Sequence, residues 1–300
     1  MKIGIAGTGR MGAALGARLM EVGHEVHVWN RSPAKARSLV DQGAKPAPTP
    51  AELARRCDAV LTILTDAAAI AAVYHGKDGL LAGDVAGKLF MEMSTVPSAV
   101  ERSLAAAVAA RGAALVECPV GGSVVPAREG KLLGFLGGAD ADVARARPIA
   151  EQLCRRAEHV GPIGAGAAMK LAINLPLAVY WQAFGEALSL VQDLGLDPER
   201  VVSIFSESSG GPNLLKGMGP GIAQTLKDNL DIAVLFDVDS VRKDLRTMLE
   251  EARAQGKQMP AVALALECFN KAAEAGWGAR NCSTLPAYWI KHGGKFRPPS

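Results

Sequence analysis

Short apolar, β-rich runs punctuate the first half of the chain at Lys2–Ala6, Glu25–Trp29, Ala59–Leu64, Leu89–Met93, Ala114–Glu117, Leu132–Leu136 and His159–Val160. Between several of them the patterning turns helical, over Met11–Val22, Pro33–Gln42, Pro50–Arg56, Ser98–Arg111 and Asp140–Arg155. Strand–helix–strand alternation at this spacing predicts a parallel sheet with helices on both faces. No helix is predicted between the runs near Ala114 and Leu132, so the sheet is expected to be mixed or antiparallel there. After about Gly166 the strand signals stop. Ala167–Leu194, Pro198–Ser206, Gly221–Lys227, Ser240–Gln255 and Ala261–Ala275 all read as helices. The first would be roughly 40 Å long at 1.5 Å per residue. The pattern predicts a sheet domain over residues 1–163 and an all-α domain over residues 164–300, joined by this long interdomain helix, with Gly161–Gly166 as the hinge. Pro176 predicts a kink in that helix, and the Gly/Pro-rich tail His292–Ser300 is expected to be loosely ordered.

Composition narrows the function classes. The chain has 300 residues, 49% hydrophobic and 21% charged, which excludes a disordered or collagen-like polymer. A formal net charge of +3 makes no case for a nucleic-acid partner. The five cysteines are odd in number, far apart and without a CxxC pair, as for free thiols in a reducing compartment. The N-terminal MKIGIAGTGR does not read as a signal peptide, and the apolar stretch Ala165–Trp181 carries Lys170 and Asn174, so neither a secretory leader nor a membrane partner is expected. The cytoplasm is the default location. The five histidines show no ligand spacing and no metal is expected; Asp237 and Asp239 beside Phe236 read as helix-entry carboxylates.

The first chemical motif is GTGRMG, Gly7 to Gly12, between an apolar run and a helical pattern. That is the context of the dinucleotide fingerprint. Gly7 permits the tight turn, Gly9 lets backbone approach a pyrophosphate, and Gly12 lets helix pack on strand. Arg10 and Met11 open the helix, whose N-terminal N–H groups suit an anion. The expected class is thus an α/β Rossmann-type dinucleotide-binding domain followed by the all-α domain. The second run ends at Asn30, where an Asp or Glu would hold a ribose 2′-hydroxyl and repel a 2′-phosphate. Here Asn30 is neutral, Arg31 can pair with a phosphate and Ser32 can donate another bond, so NADP(H) is inferred over NAD(H).

Two further constellations suggest chemistry. Lys170 and Asn174 lie four residues apart in an apolar helical run and share a helix face. A lysine in apolar surroundings must find a partner, snorkel out or lose its proton, which makes Lys170 a proton-donor candidate. Gly121, Gly122 and Ser123 follow a strand-like run; consecutive small residues there can turn backbone N–H groups towards a carboxylate-bearing substrate, or form an ordinary turn.

On these residues the chain resembles the β-hydroxyacid dehydrogenase family over nearly its whole length. The matching motifs are GTGRMG with GHEVHVWNRS, MSTVP (Met93–Pro97), PVGGSVVPAREGKL, GPIGAGAAMKLAIN and RKDL (Arg242–Leu245). The resemblance implies Lys170 as catalytic lysine and Asn174 as its partner. Thr95, Leu64 and Lys243 would lie on the cofactor, and Gly121, Gly122, Ser123 and Asp244 on the substrate. It implies hydride transfer between nicotinamide and a small 3-hydroxy acid or its semialdehyde or keto acid, in a pocket between the domains. Family members usually read Ser-Gly-Gly where this chain has Gly121-Gly122-Ser123, and an Asn commonly stands where it has Ile173. Decarboxylating 6-phosphogluconate dehydrogenases place His directly before the Asn, which this chain does not. Imine reductases typically replace the lysine by Asp or Tyr. An imine reductase and a catalytically silent NADPH-binding scaffold remain the alternatives. The many Ala, Leu and Val of the helical half predict a homodimer or homotetramer.

Overall fold

The computed structural model describes residues 1–292; the tail beyond His292, expected to be loosely ordered, lies outside the described residues. The chain divides into two compact units, Met1–Ile173 and Asn174–Ser300.

The first unit contains β1 (Lys2–Ala6), α1 (Arg10–Glu21), β2 (Glu25–Trp29), α2 (Arg37–Val40), β3 (Lys45–Pro46), α3 (Pro50–Arg56), β4 (Ala59–Thr62), α4 (Ala67–His75), β5 (Leu89–Glu92), α5 (Ser98–Ala109), β6 (Ala114–Glu117), β7 (Val120–Gly121), α6 (Val124–Arg128), β8 (Leu132–Gly137), α7 (Asp140–Leu153) and β9 (Cys154–Gly161). A single 3₁₀ turn, Pro33–Ala36, leads into α2. The strands form one sheet ordered β3-β2-β1-β4-β5-β6-β8-β7, with β9 paired to β8. From β3 to β6 all pairings are parallel; β6 and β7 meet β8 antiparallel, and β9 runs parallel to β8. The mixed region falls where it was expected, although that stretch does contain a helix, the five-residue α6 between β7 and β8, too short to carry a parallel crossover.

Both sheet faces are covered, which is why β1, β4, β5 and β6 read as continuous apolar runs. Ile3, Ile5, Leu61 and Met91 belong to one core with Leu15 and Leu19 of α1 and Ile149 of α7. Val60 and Phe90 belong to the other with Leu53 of α3, Tyr74 of α4 and Leu104 of α5. In the order 3-2-1-4-5-6 the sequence of strand addition switches from one side of β1 to the other at β4, and the crevice outside the carboxyl ends of β1 and β4 is where such sheets bind ligands.

The second unit is helical. α8 (Ala165–Ser189) runs across the boundary between the units and continues through Pro176. It is followed by α9 (Pro198–Glu207), α10 (Asn213–Leu226), α11 (Val238–Ala254), α12 (Pro260–Ala272) and α13 (Leu285–His292). Trp181, Phe184, Leu215, Ile222, Leu245, Met248 and Phe269 are buried here. Asp237 accepts the Ser240 N–H at 2.8 Å and caps α11, the helix-entry role expected of it.

Several boundaries differ from expectation for physical reasons. α4 is Ala-rich and lacks polar alternation, so periodicity misses it, although Asp66 caps it by accepting the Ala69 N–H. The helix expected to reach Arg155 stops at Leu153, because Cys154 onward joins β8 as an eight-residue strand. α8 ends at Ser189 rather than Leu194, and a 3₁₀ turn, Gln192–Leu194, follows. α10 begins eight residues earlier than Gly221, through a Gly- and Pro-rich stretch of low intrinsic propensity. A Cβ on Gly219 would lie 2.9 Å from Val202 Cγ1 of α9, so close helix packing outweighs propensity there. Among the described residues no helix is long and apolar enough to cross a membrane. All five cysteines are free and buried.

Candidate active site

The glycine loop lies at the carboxyl end of β1. Gly7 has φ +100, and a Cβ there would meet the Ile63 carbonyl oxygen at 2.3 Å. A Cβ on Gly12 would stand 1.9 Å from the Gly7 carbonyl oxygen, so α1 closes on the turn only because residue 12 has no side chain. Gly9 differs: nothing lies within 4 Å of its hypothetical Cβ, and it caps α1 with extended backbone. Two glycines thus shape the loop, and the third leaves open space above a helix N-terminus, as an approaching pyrophosphate requires. The buried Thr8 hydroxyl in the same loop has no hydrogen-bond partner among the described residues, a polar atom suited to a ligand. On both counts the loop fits a dinucleotide. Arg10 is exposed and Met11 half-buried at the start of α1.

Asn30 is structural as well as local to the ligand end. Its Oδ1 accepts the Thr8 N–H at 3.0 Å and its Nδ2 donates to the Ser32 carbonyl at 3.0 Å, stitching the glycine loop to the end of β2. Arg31 and Ser32 are exposed beside it.

On the other side of β1, Leu64 donates its N–H to Ser94 Oγ at 2.8 Å, which joins the loops after β4 and β5. Thr95, half-buried, follows directly. Sequence reasoning missed the group that holds Ser94. Glu92, fully buried at the end of β5, accepts the Ser94 N–H at 2.7 Å and is hydrogen-bonded to the Thr62 hydroxyl. Its one sequence signal is a carboxylate closing an apolar strand.

Burial pushes the Glu92 carboxyl up to about 7, against the bonds from Ser94 and Thr62. Below the ordinary value of 4.5 the folded and unfolded chains both hold this proton. From 4.5 to about 7 the unfolded chain ionises while the folded one retains the proton, so stability falls as pH rises through that window. Glu92→Gln should flatten this loss by an amount on the order of 1–3 kcal/mol. Urea unfolding at pH 5 and pH 8 measures it, and equal declines in both proteins would clear Glu92 of the effect.

Gly121 pairs with β8, Gly122 is exposed at φ +124, and Ser123 precedes the short α6 without a side-chain cap bond. A Cβ on Gly122 would also meet Leu132 Cδ2 at 2.7 Å, so the turn is specified for glycine.

Lys170 is only 9% exposed, one turn into α8. Asn174 follows one turn later. Its Nδ2 donates to Asp244 Oδ2 at 2.9 Å, and Asp244 Oδ1 pairs with Lys243 Nζ at 2.6 Å. Asp244 is 3% exposed. The second unit thus brings Asn174, Asp244 and Lys243 together, which neither their spacing nor their individual types disclosed. The buried carboxylate fixes the amide through one N–H and is neutralised by the neighbouring ammonium.

A glycine-shaped loop at the crevice of a 3-2-1-4-5-6 sheet defines the class as a dinucleotide-binding protein, and a buried lysine stands one turn into the following long helix. The family described as the NAD binding domain of 6-phosphogluconate dehydrogenase matches residues 2–161, and that described as the NAD-binding of NADP-dependent 3-hydroxyisobutyrate dehydrogenase matches residues 164–288. The chain belongs to the β-hydroxyacid dehydrogenase family. It is 35% identical to a 3-hydroxyisobutyrate dehydrogenase of Pseudomonas aeruginosa, over 91% of this chain and 92% of that one. It is 32% identical to glyoxylate/succinic semialdehyde reductase 1 of Arabidopsis thaliana, over 95% and 97%. The solved structure of Psf3 in complex with NADP+ and 2-OPP superposes with TM-score 0.84 at 28% identity, covering 95% of this chain and 99% of that one.

Proposed function

We propose that the protein interconverts a small 3-hydroxy acid and its semialdehyde or keto acid with NADP(H), Lys170 serving as the general acid and base. The observation that carries this reading is an ammonium-bearing side chain held almost out of water one helical turn from an amide oriented by a buried carboxylate. Gly7, Gly9, Arg10, Met11 and Gly12 would hold the pyrophosphate end of the dinucleotide, with Asn30, Arg31 and Ser32 at its 2′-phosphate. Leu64, Thr95 and Lys243 would lie along the remainder. The bound cofactor supplies the hydride in reduction and accepts it in oxidation. In reduction Lys170 gives a proton to the oxygen that becomes the alcohol, and in oxidation it takes that proton back. Asn174 donates to the same oxygen, its orientation set by Asp244. Backbone N–H groups at Gly122 and Ser123, with the bend at Gly121, would receive the substrate carboxylate, and Asp244 would act on the substrate through Asn174. Exposed Leu190, Leu194, Ile204 and Leu264 on the helical unit support a homodimer or homotetramer.

The names of the relatives suggest three probes, and serine, itself a small 3-hydroxy acid, is a fourth. NADPH oxidation with glyoxylate or succinic semialdehyde, and NADP+ reduction with 3-hydroxyisobutyrate or serine, should reveal turnover with at least one of the four. Tight NADPH binding with none turned over would favour the silent scaffold, and activity confined to a cyclic imine would favour imine reduction.

The cofactor choice has a separate test. Charge-assisted bonds to a phosphate contribute about 1.5–3 kcal/mol each, so Arg31→Ala should weaken NADPH by roughly 10- to 100-fold. NADH should change little. Equal weakening of both, in fluorescence titrations, would remove Arg31 from 2′-phosphate recognition.

A further inference from the structure

α8 starts without a local cap. The residues that lead into it, GPIGAG from Gly161 to Gly166, contain no Ser, Thr, Asp or Asn to accept its first N–H groups. The acceptor comes from 47 to 50 residues earlier. Glu117, at the end of β6 and fully buried, accepts the N–H of Gly164 at 2.6 Å and of Gly166 at 2.8 Å through Oε1, and of Ala167 at 3.2 Å through Oε2. The sheet is shaped to admit it. Gly137 of β8 stands opposite Glu117 in the antiparallel pair, and a Cβ there would lie 2.0 Å from Oε1.

A buried carboxylate is costly to desolvate unless hydrogen bonds or an opposite charge compensate it. Burial pushes the Glu117 carboxyl up, and the three N–H bonds at the positive end of the helix, with the Arg102 charge, offset that cost only in part; the same three bonds fix the first turn in position and direction. Lys170 is four residues beyond Gly166, one turn above this anchor, on the same face of the helix. A pivot of about 10° at the first turn would move the backbone one turn on by about 1 Å, and the end of a lysine side chain by more. A displacement of that size is worth roughly 10²-fold in rate.

We propose that Glu117 is a positioning residue for proton transfer, aiming Lys170 by clamping the start of α8 from within the sheet. This rests on the reading of Lys170 given above. The bonds of the Glu117 carboxylate run to the first turn of α8 and not to the glycine loop, and its effect is expected in the step in which Lys170 takes part.

Glu117→Gln tests this with little change of volume. The amide keeps an oxygen for Gly164 and Gly166, but its NH₂ cannot accept from Ala167. With NADPH and succinic semialdehyde, kcat is expected to fall about 10- to 100-fold. The Kd for NADPH should stay within about twofold. The same substitution made in Lys170→Ala protein, assayed at high enzyme concentration, should lower kcat by less than about twofold, because there is no longer a side chain to aim. An equal loss in both backgrounds would mean that Glu117 only supports the fold, and no loss in either would mean that it does not act; each result overturns the proposal. A Lys170→Ala enzyme as fast as the parent would instead sink the role of Lys170, whatever Glu117 does. Amide exchange in the cofactor-free protein reads the clamp without any substrate. It should quicken from Gly164 to Lys170 in Glu117→Gln, and unchanged protection there refutes the clamp even where succinic semialdehyde is not turned over. Where Glu117→Gln gives no folded protein, Glu117→Asp, with its carboxylate drawn back by one methylene, goes through the same cycle, and the same results support or overturn the clamp.

Discussion

Lys170→Ala should lower turnover by about 10²–10⁴-fold, the usual contribution of a positioned acid–base group, while NADPH still binds. The direction follows from chemistry. Reduction of a carbonyl leaves charge on oxygen, and a donor within bonding reach delivers its proton as that charge develops. The separation of effects follows from place. The loops after β1, β2, β4 and β5 take their shape from glycine geometry and from the bonds of Asn30, Ser94 and Glu92, and removal of the Lys170 side chain leaves those bonds in place. Steady-state kinetics paired with NADPH fluorescence titration provides the check. An enzyme that loses NADPH affinity and turnover together would make Lys170 a structural residue, and one that loses neither would place the proton donor elsewhere.

A paired substitution in the glycine loop should separate folding from binding. Gly12→Ala puts a methyl 1.9 Å from the Gly7 carbonyl oxygen. Helix and turn must move apart, with a stability loss of about 1–3 kcal/mol and loss of cofactor binding. Gly9→Ala meets nothing within 4 Å, and its backbone φ of −67° suits any residue. Its stability should change by no more than about 1 kcal/mol, the value of an N-cap preference. Its methyl, however, would occupy the open space above the start of α1, through which the proposed pyrophosphate would reach the N–H groups. Loss of one charge-assisted bond there weakens binding about 10- to 100-fold. Urea unfolding and NADPH titration of both variants provide the test. Equal destabilisation, or undiminished binding by Gly9→Ala, would show that the ligand does not lie over this turn.

The two glycines also mark the limit of what residue spacing discloses. Spacing assigned Gly7, Gly9 and Gly12 a common motif, and the motif's position after β1 was legible because an apolar run and a helical pattern flank it. That contact shuts out a side chain at Gly12 while the space beside Gly9 stays open is a matter of tertiary distance. Lys170 and Asn174 were legible for a similar reason: four residues on a helix is one turn, and polar groups in an apolar run stand out. Asp244 was named only through resemblance. Its bond to Asn174 spans 70 residues and has no local signature. Glu92 and Glu117 each end an apolar strand, and a strand end is where exposed carboxylates are common. Nothing in the neighbouring residues distinguishes those from one that is folded inward.

Local chemistry therefore determined the alternation of strands and helices, the change to an all-helical second half, the glycine turn and the lysine's face, because each depends on neighbours within a few residues. Tertiary structure alone decided the strand order beyond β6, the extension of β9, the helix through the Gly- and Pro-rich stretch from Asn213 to Leu226, and the partners of Asn174 and of the first turn of α8. The physical reason is that a buried polar group or a close-packed glycine is specified by whatever lies across the gap, and the chain brings that partner from tens of residues away.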